Sequence, residues 1–402
     1  MKVVIAPDSF KESLPAADVA AAIAAGVLQA CPDARVDLCP MADGGEGTVA
    51  AMVAATGGRY VTADVFGPLG APLRAQFGLL GRPAGAGLPG EVGLSGAVGE
   101  LAGEGAAAGG ATTAVIEMAA ASGLALVPEG RRDPRQTTSY GTGLLLLAAL
   151  DAGARDIVVG IGGSATVDGG AGCAQALGVA FTDAAGAPCV CGLAGGGLTD
   201  IADFDLAARD ARVAQARIRV ACDVTNPLLG PAGAARVYGP QKGATPEVVE
   251  ILEANLTHLA GLIRRKTGLD VAAIPGAGAA GGLGAGLIAF AGASLCRGVQ
   301  LVAEAVRLRE RLVGADLCLT GEGRLDGQTA HGKAAFGVAE VARAAGVPCV
   351  CIPGAAAADA PTGAFAAVHP LVAGEVTMRL ALQTPATFLK RRAAEAVRAL
   401  VG

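Results

Sequence analysis

The sequence predicts an α/β protein of two α/β domains. One is a doubly wound parallel-sheet domain assembled from both chain ends, residues 1–66 and 295–402, and the other is a mixed-sheet α/β domain inserted at 67–294. Three observations predict this. At roughly 150 residues per domain, 402 residues suit two or three domains better than one. At both ends, short apolar runs alternate with helical periods of roughly ten to fifteen residues, the rhythm of parallel βαβ units. In the middle, alternating segments flank turn-rich clusters, as antiparallel hairpins do.

From the N-terminus, residues 3–6 read as a short buried strand and 16–30 as an Ala-rich helix with Ser13 or Asp18 near its start; 36–39 is a second strand and 47–55 a second helix. Residues 60–80 alternate like paired strands around Gly67, Pro68, Leu69 and Gly70, and 179–190 repeat that hairpin signal around 184–188. Helices at 142–151 and 246–266 cover this mixed sheet, the second with Thr245 as N-cap and Pro246 at its first position. The far end adds a strand at 315–320, a helix at 333–345, a strand at 348–352 and a closing amphipathic helix at 384–401. Residues 82–111 are almost wholly Gly, Ala and scattered Glu without a period, so a mobile surface loop is expected there.

Composition narrows the function. Apolar residues make up 52% and charged residues 17%, with 62 glycines in addition, so a large core is easily filled and disorder is excluded. A net charge of -5 with both signs interspersed offers no attraction for phosphate backbones or anionic lipid. No Trp, three Tyr and nine Phe leave few stacking platforms, so neither nucleic acid nor membrane is expected as a partner, and the ligand should be small and polar. Residues 3–6 are too short for a signal-peptide core; 271–296 are uncharged but rich in Gly and Ala and broken by Pro275, which suits a loop feeding a buried helix better than a membrane span. Ten cysteines without a secretory signal read as reduced thiols, and Cys349 and Cys351 lie inside an apolar strand instead of a zinc site.

Four Gly-rich segments carry acids, bases or hydroxyls, each where a predicted strand ends, which is where open α/β sheets bind ligands. The first delivers Asp8, Ser9 and Lys11 just before a helix able to attract an anion. The second, Asp43-Gly44-Gly45-Glu46-Gly47-Thr48, sets two carboxylates among glycines, suited to hydrated Mg²⁺ or to accepting a substrate proton. In the third, Gly162, Gly163, Ser164, Ala165 and Thr166 can form an anion nest with two hydroxyls, and Asp168 follows closely enough to hold a metal beside phosphates. The fourth offers Glu322, Arg324 and Asp326, where Arg324 can clamp a carboxylate or phosphate through two N–H bonds. Three of the six lysines, Lys11, Lys242 and Lys333, fall in Gly- or Pro-flanked turns and suit point contacts to phosphate. Asp223 and Asn226 add an oxygen-ligand pair after the strand at 218–220.

Two motif matches read as decoys. Gly276, Gly278 and Gly281 satisfy the dinucleotide pattern G-x-G-x-x-G, but the preceding strand is feeble and more glycines follow; residues 327–333 satisfy G-x4-G-K, but Ala334 replaces the required Ser or Thr. The three histidines lack metal or triad spacing, and only His331 sits in a site-like loop.

The segments APDSFKESL, DGGEGT, AASGLALVP, TTSYGTG, GGSATVDGGAG, DVTNPLLG, GPQKGA, GAGAAGGLGAG and TGEGRLDGQTAHGK together resemble, in order and nearly end to end, those of the glycerate kinase type-1 family; the 82–111 tract looks like an insertion. The resemblance implies a cytoplasmic enzyme of two α/β domains that phosphorylates D-glycerate with ATP and Mg²⁺, with 2-phosphoglycerate as the favoured product. The parallel-sheet domain is expected to be flavodoxin-like, the site loops at strand ends of both domains put the active site in the cleft between them, and the sequence leaves the oligomeric state open, a homodimer among the options. On the chemistry of the residues, Gly162 to Thr166 with Lys242 and Lys333 would contact the ATP phosphates, and Asp168 and Asp223 would hold Mg²⁺. Lys11 and Arg324 would meet the glycerate carboxylate or the transferring phosphate, Ser9, Glu322 and Asp326 would complete that site, and Asp43 or Asp8 would be the base. A nicotinamide-dependent oxidoreductase and a non-catalytic sugar-acid-binding protein are the alternatives.

Overall fold

The computed structural model describes residues 1–10, 13–81, 112–327 and 333–401. Lys11, the 82–111 tract and residues 328–332, with His331 and most of the 327–333 motif, lie outside them. The fold is mixed α/β, with one large parallel sheet, one large mixed sheet and two two-stranded sheets among the described residues.

The parallel sheet has five strands. In spatial order they are Ala367–Val368, Cys349–Cys351, Leu317–Thr320, Lys2–Ile5 and Arg35–Leu38, all parallel. Numbered along the chain, this is the order 2-1-3-4-5 reversed, the flavodoxin-like doubly wound order, whose ligand crevice opens between strands 1 and 3. Those two strands are Lys2–Ile5 and Leu317–Thr320. Their pairing continues past the strand ends, because the Ala6 amide donates to the Leu319 carbonyl, the Asp8 amide donates to the Gly321 carbonyl and Thr320 Oγ1 donates to the Ala6 carbonyl.

The mixed sheet has six strands in simple chain order, Arg59–Phe66, Pro72–Leu79, Thr112–Glu117, Ala154–Gly160, Arg217–Ala221 and Ser294–Cys296; the last four are parallel and the first two form the expected antiparallel hairpin. Strand Arg59–Phe66 pairs wholly within this sheet. The second expected turn, around 184–188, is present: the Asp183 amide donates to the Ala187 carbonyl and the Cys189 amide to the Phe181 carbonyl, on either side of a Thr182–Pro188 bridge. Strand Ala180–Thr182 also pairs antiparallel with Asp203–Asp205, a second partner that a long connection brings back to it.

Alternate faces of the strands make the layers. Val3, Ile5, Leu317 and Leu319 pack against helices Ala16–Ala30 and Pro385–Val401, which supply Ile23, Val27, Leu389 and Val397. The opposite face, with Val4 and Cys318, packs on helices Thr48–Thr56, Gly298–Ala305 and Ala334–Ala344, and those helices also touch Val115 and Val158 of the mixed sheet. One helical layer therefore lies between the two sheets. The far face of the mixed sheet, with Ile116, Ile157 and Val220, is covered by helices Tyr140–Asp151 and Ala279–Ala291.

Helix Ala279–Ala291 opens with three left-handed residues, Ala280, Gly281 and Gly282, at φ of 54°, 68° and 87°. A Cβ on Gly281 would overlap the Thr166 carbonyl, and Gly286 and Gly170 meet backbone to backbone. The G-x-G-x-x-G match is thus a packing seam between two glycine-rich segments. Gly281→Ala should destabilise the fold by roughly 2 kcal/mol or more, since left-handed strain and overpacking add. Gly292, at a similar φ of 66° but with no atom within 4 Å of its would-be Cβ, is the control and should lose only about 1 kcal/mol on change to Ala. Urea melts showing equal losses for the two variants would remove the seam.

Candidate active site

The C-terminal ends of both sets of parallel strands face one region. Two cavities occupy it. The first, about 470 Å³, is walled by Asp43, Gly44, Gly45, Gly162, Gly163, Ser164, Asp223 and Lys242, with Leu124, Tyr238 and Ala280 closing its sides. The second, about 560 Å³, opens at the crevice of the parallel sheet and is walled by Asp8, Ser9, Ser13, Asp43, Glu322, Arg324 and Lys333, with an apolar side of Phe10, Leu371, Met378 and Leu382. Asp43 lines both.

Close backbone approach puts Asp43 there. Gly44 is left-handed at φ 91°, and a Cβ on it would stand 2.5 Å from that of Ala221 at the end of a mixed-sheet strand. A Cβ on Gly160 would lie 2.5 Å from the Gly44 carbonyl oxygen, and one on Gly298 would overlap the Asp43 carbonyl. The turn after strand Arg35–Leu38 can therefore lie directly on the mixed sheet. Across the same junction, Glu117 Oε1 accepts from the Val49 amide at 2.8 Å and caps helix Thr48–Thr56, whose own N-cap is a glycine. Burial raises the Glu117 carboxyl, and the helix amides work against that rise.

Asp223 faces Asp43 across the first cavity. Its Oδ1 accepts from the Gly298 amide at 2.9 Å, at the start of helix Gly298–Ala305. Desolvation raises its carboxyl to about 6, opposed by that amide bond and reinforced by the negative charge of Asp43. Two carboxylates that repel across a cavity are a fitting seat for a divalent cation, since Mg²⁺ is commonly held by one or two carboxylates with water and phosphate oxygens. No cluster of three or more metal-binding side chains occurs among the described residues.

The nest is shorter than expected. Gly162 and the left-handed Gly163, φ 70°, sit exposed on the wall, and Ser164 lines it. Ala165 turns its amide to the Ser122 carbonyl, and the buried Thr166 uses its carbonyl to accept from Lys242, so neither faces the cavity. Asp168 does not reach it either. It is fully buried; Oδ2 accepts from the Ser139 amide and hydroxyl, both at 2.7 Å, and Oδ1 from the Gly170 amide at 3.1 Å. As a metal ligand Asp168 is therefore displaced, because its oxygens are filled by fixed donors and the loop of Ser139 closes over it. Burial raises its carboxyl and these bonds oppose the rise. Lys242 is likewise buried, its ammonium donating to Ser164 Oγ at 2.6 Å and the Thr166 carbonyl at 2.7 Å. Desolvation lowers it to about 7, with Asp168 pulling the other way.

In the second cavity, Arg324 is mostly exposed and lies 3.8 Å from Asp326, while Lys333 binds the other Asp326 oxygen at 2.9 Å. Asp326 does not line the cavity; it holds the two cations beside it. Glu322 and Asp8 are buried on its wall, and Asp8 Oδ1 accepts from the Ser9 amide at 2.6 Å. Sequence reasoning missed Glu117, Tyr238 and the helix Met378–Gln383, which carry no motif and reach the site through folding alone, and it assigned no site role to Leu124 or Ala280, although both lie in segments that carry the family resemblance.

A model of the glycerate kinase family matches residues 3–401. The chain is 48% identical over 359 residues to the glycerate 2-kinase of Escherichia coli (strain K12), covering 89% of this chain and 86% of that protein. It is 44% identical over 396 residues to the glycerate kinase of Bacillus subtilis (strain 168), covering 98% and 96%. A crystal structure assigned as glycerate kinase 2 of Salmonella typhimurium LT2 aligns with a TM-score of 0.85 at 46% identity, over 100% of this chain and 98% of that one.

The buried setting of Asp168 yields a test. Asp168→Asn places an NH₂ or a weaker acceptor against fixed donors and strips Lys242 of its counter-charge, so it should cost about 3 kcal/mol of stability. The Mg²⁺ concentration that half-saturates the remaining activity should stay the same. Normal melting with a shifted Mg²⁺ requirement would return Asp168 to the metal.

Proposed function

The chain belongs to the glycerate kinase family, and we propose that it transfers the γ-phosphoryl group of ATP to the 2-hydroxyl of D-glycerate, giving 2-phosphoglycerate and ADP. The observation that carries this reading is that one carboxylate, Asp43, lines two cavities of different chemistry. One has an anion nest and the other an arginine. Donor phosphates fit the first, against Gly162, Gly163 and Ser164, because successive amides around a left-handed glycine converge on an anion. Glycerate fits the second, its carboxylate on Arg324 with Lys333 alongside, and its hydroxyls toward Ser9, Asp8 and Asp43. The name of the 48%-identical relative, a glycerate 2-kinase, supports the 2-position.

In this arrangement Asp43 accepts the proton of the attacking hydroxyl while the glycerate oxygen bonds to the γ-phosphorus and the bond to the ADP oxygen breaks. Asp223 would hold Mg²⁺ together with phosphate oxygens and water, and the ion would supply charge neutralisation on the phosphates while the Asp43 carboxylate stays free to take the proton. Arg324 fixes the acceptor in place. All ten cysteines are free thiols, in keeping with a reducing compartment such as the cytoplasm, and no helix among the described residues is long and apolar enough to cross a membrane.

The reading is tested by incubating the protein with D-glycerate, ATP and Mg²⁺ and following ADP, then offering the product to enolase, which consumes 2-phosphoglycerate directly. ADP without enolase turnover would move the phosphoryl group to the 3-position, and NADH formation from D-glycerate and NAD would favour the oxidoreductase. Asp43→Asn should retain the fold and lower kcat by about 10² or more, the scale of a lost general base. A smaller loss would pass that role to Asp8.

Arg324 separates acceptor binding from phosphate binding. Arg324→Lys should raise KM for glycerate about tenfold, equivalent to about 1.4 kcal/mol, because an ammonium cannot reproduce two parallel N–H bonds, while KM for ATP stays near its starting value. A fall in kcat with glycerate KM unmoved would place Arg324 on the transferring phosphate instead.

A further inference from the structure

We propose that Lys242 is a positioning residue that makes the Ser164 hydroxyl a hydrogen-bond donor toward an anion in the first cavity, and does not itself contact that anion; this rests on the reading that the donor phosphates occupy that cavity. In its ammonium form, which Asp168 behind it favours, Lys242 has donors and no acceptor, so at 2.6 Å from Nζ the Ser164 oxygen accepts and its own proton is left to point elsewhere. Ser164 lines the cavity beside Gly162 and Gly163, so a phosphate on the nest meets two amides and an oriented hydroxyl together. A second N–H of Lys242 goes to the Thr166 carbonyl at 2.7 Å, which holds both ends of the 164–166 segment on one cation.

The lysine is itself well anchored. It ends a short 3-10 turn, Pro240–Lys242, followed by Gly243 at φ 96°, whose backbone packs on the Arg132 carbonyl closely enough that a Cβ would overlap it. Its charge is balanced from behind by Asp168, which is tied to Ser139 at the start of helix Tyr140–Asp151. A flexible four-carbon stem thus becomes a fixed strut from the helix start through Asp168 and Lys242 to the nest.

The test is a double-mutant cycle on the full-length protein, with ATP and D-glycerate varied in turn. Lys242→Met and Ser164→Ala should each raise KM for ATP about tenfold and leave KM for glycerate within about twofold, and the double variant should be no worse than the more severe single one, since both remove the same donated proton. Ser164→Thr, which keeps a hydroxyl, should restore most of the affinity. Additive losses in KM for ATP would show that Lys242 meets the phosphate independently and would overturn the proposal while keeping the cavity assignment. A rise in glycerate KM instead would overturn the assignment and the proposal with it. Unchanged constants for Ser164→Ala would overturn the proposal alone. If Lys242→Met fails to fold, the alanine and threonine variants decide: threonine must recover what alanine loses, and equal behaviour of the two rejects the mechanism.

Discussion

The site depends on one constraint: the turn from Asp43 to Gly47 must lie backbone against backbone on the mixed sheet. Gly44, Gly160 and Gly298 have no Cβ, and Ala221 has only one, so the turn and the strand ends come together where larger residues would hold them apart. Three placements follow from this. Asp43 becomes common to both cavities, Asp223 comes opposite it, and Glu117 reaches across to cap the helix that the turn begins. A methyl group at Gly298 would press on the Asp43 carbonyl and stand 2.8 Å from Asp223 Oδ2, so the same atoms limit both packing and chemistry.

Glycine abundance has a second use behind the cavity. The seam between residues 166–170 and the start of helix Ala279–Ala291 is nearly all backbone, and it seals Asp168 and Lys242 from water. Charges so placed are costly to bury unless paired and fully bonded, and here each has its donors or acceptors supplied by loops that the seam locks. Rigidity of the nest is thereby fixed from beneath.

The parts legible in the sequence are those whose signal is local. Helix Ala16–Ala30 was readable because a long Ala-rich period follows Pro15, and the loops holding Asp8, Asp43, Gly162, Asp223 and Arg324 because each follows an apolar strand. What escaped depends on distant partners. Asp168 stands two residues beyond the glycine-rich turn, which suggests a ligand, and only the folded path of Thr137 to Ser139 reveals that it is sealed. Strand Ala180–Thr182 takes a second, distant partner at 203–205 besides the nearer segment, and strands of two residues, such as Ala367–Val368, are too short to show a period at all. Glu117 ends an ordinary apolar strand, so nothing before folding marks it as a cap.

The parallel sheet also sets a schedule. Its central strands, Lys2–Ile5 and Leu317–Thr320, come from opposite ends of the chain, yet they pair residue for residue and are pinned by Lys2, whose amide donates to Asp316 and whose ammonium donates to the carbonyls of Arg311 and Val313. On a ribosome moving at about 5–20 residues per second, the first strand waits on the order of tens of seconds for its neighbour. The mixed sheet, whose strands all lie between Arg59 and Cys296, is fully synthesised before that neighbour emerges. The first cavity can therefore be in place early, whereas the crevice proposed for the acceptor forms only when the last quarter of the chain arrives, so a nascent or C-terminally truncated chain would carry the first cavity without the second.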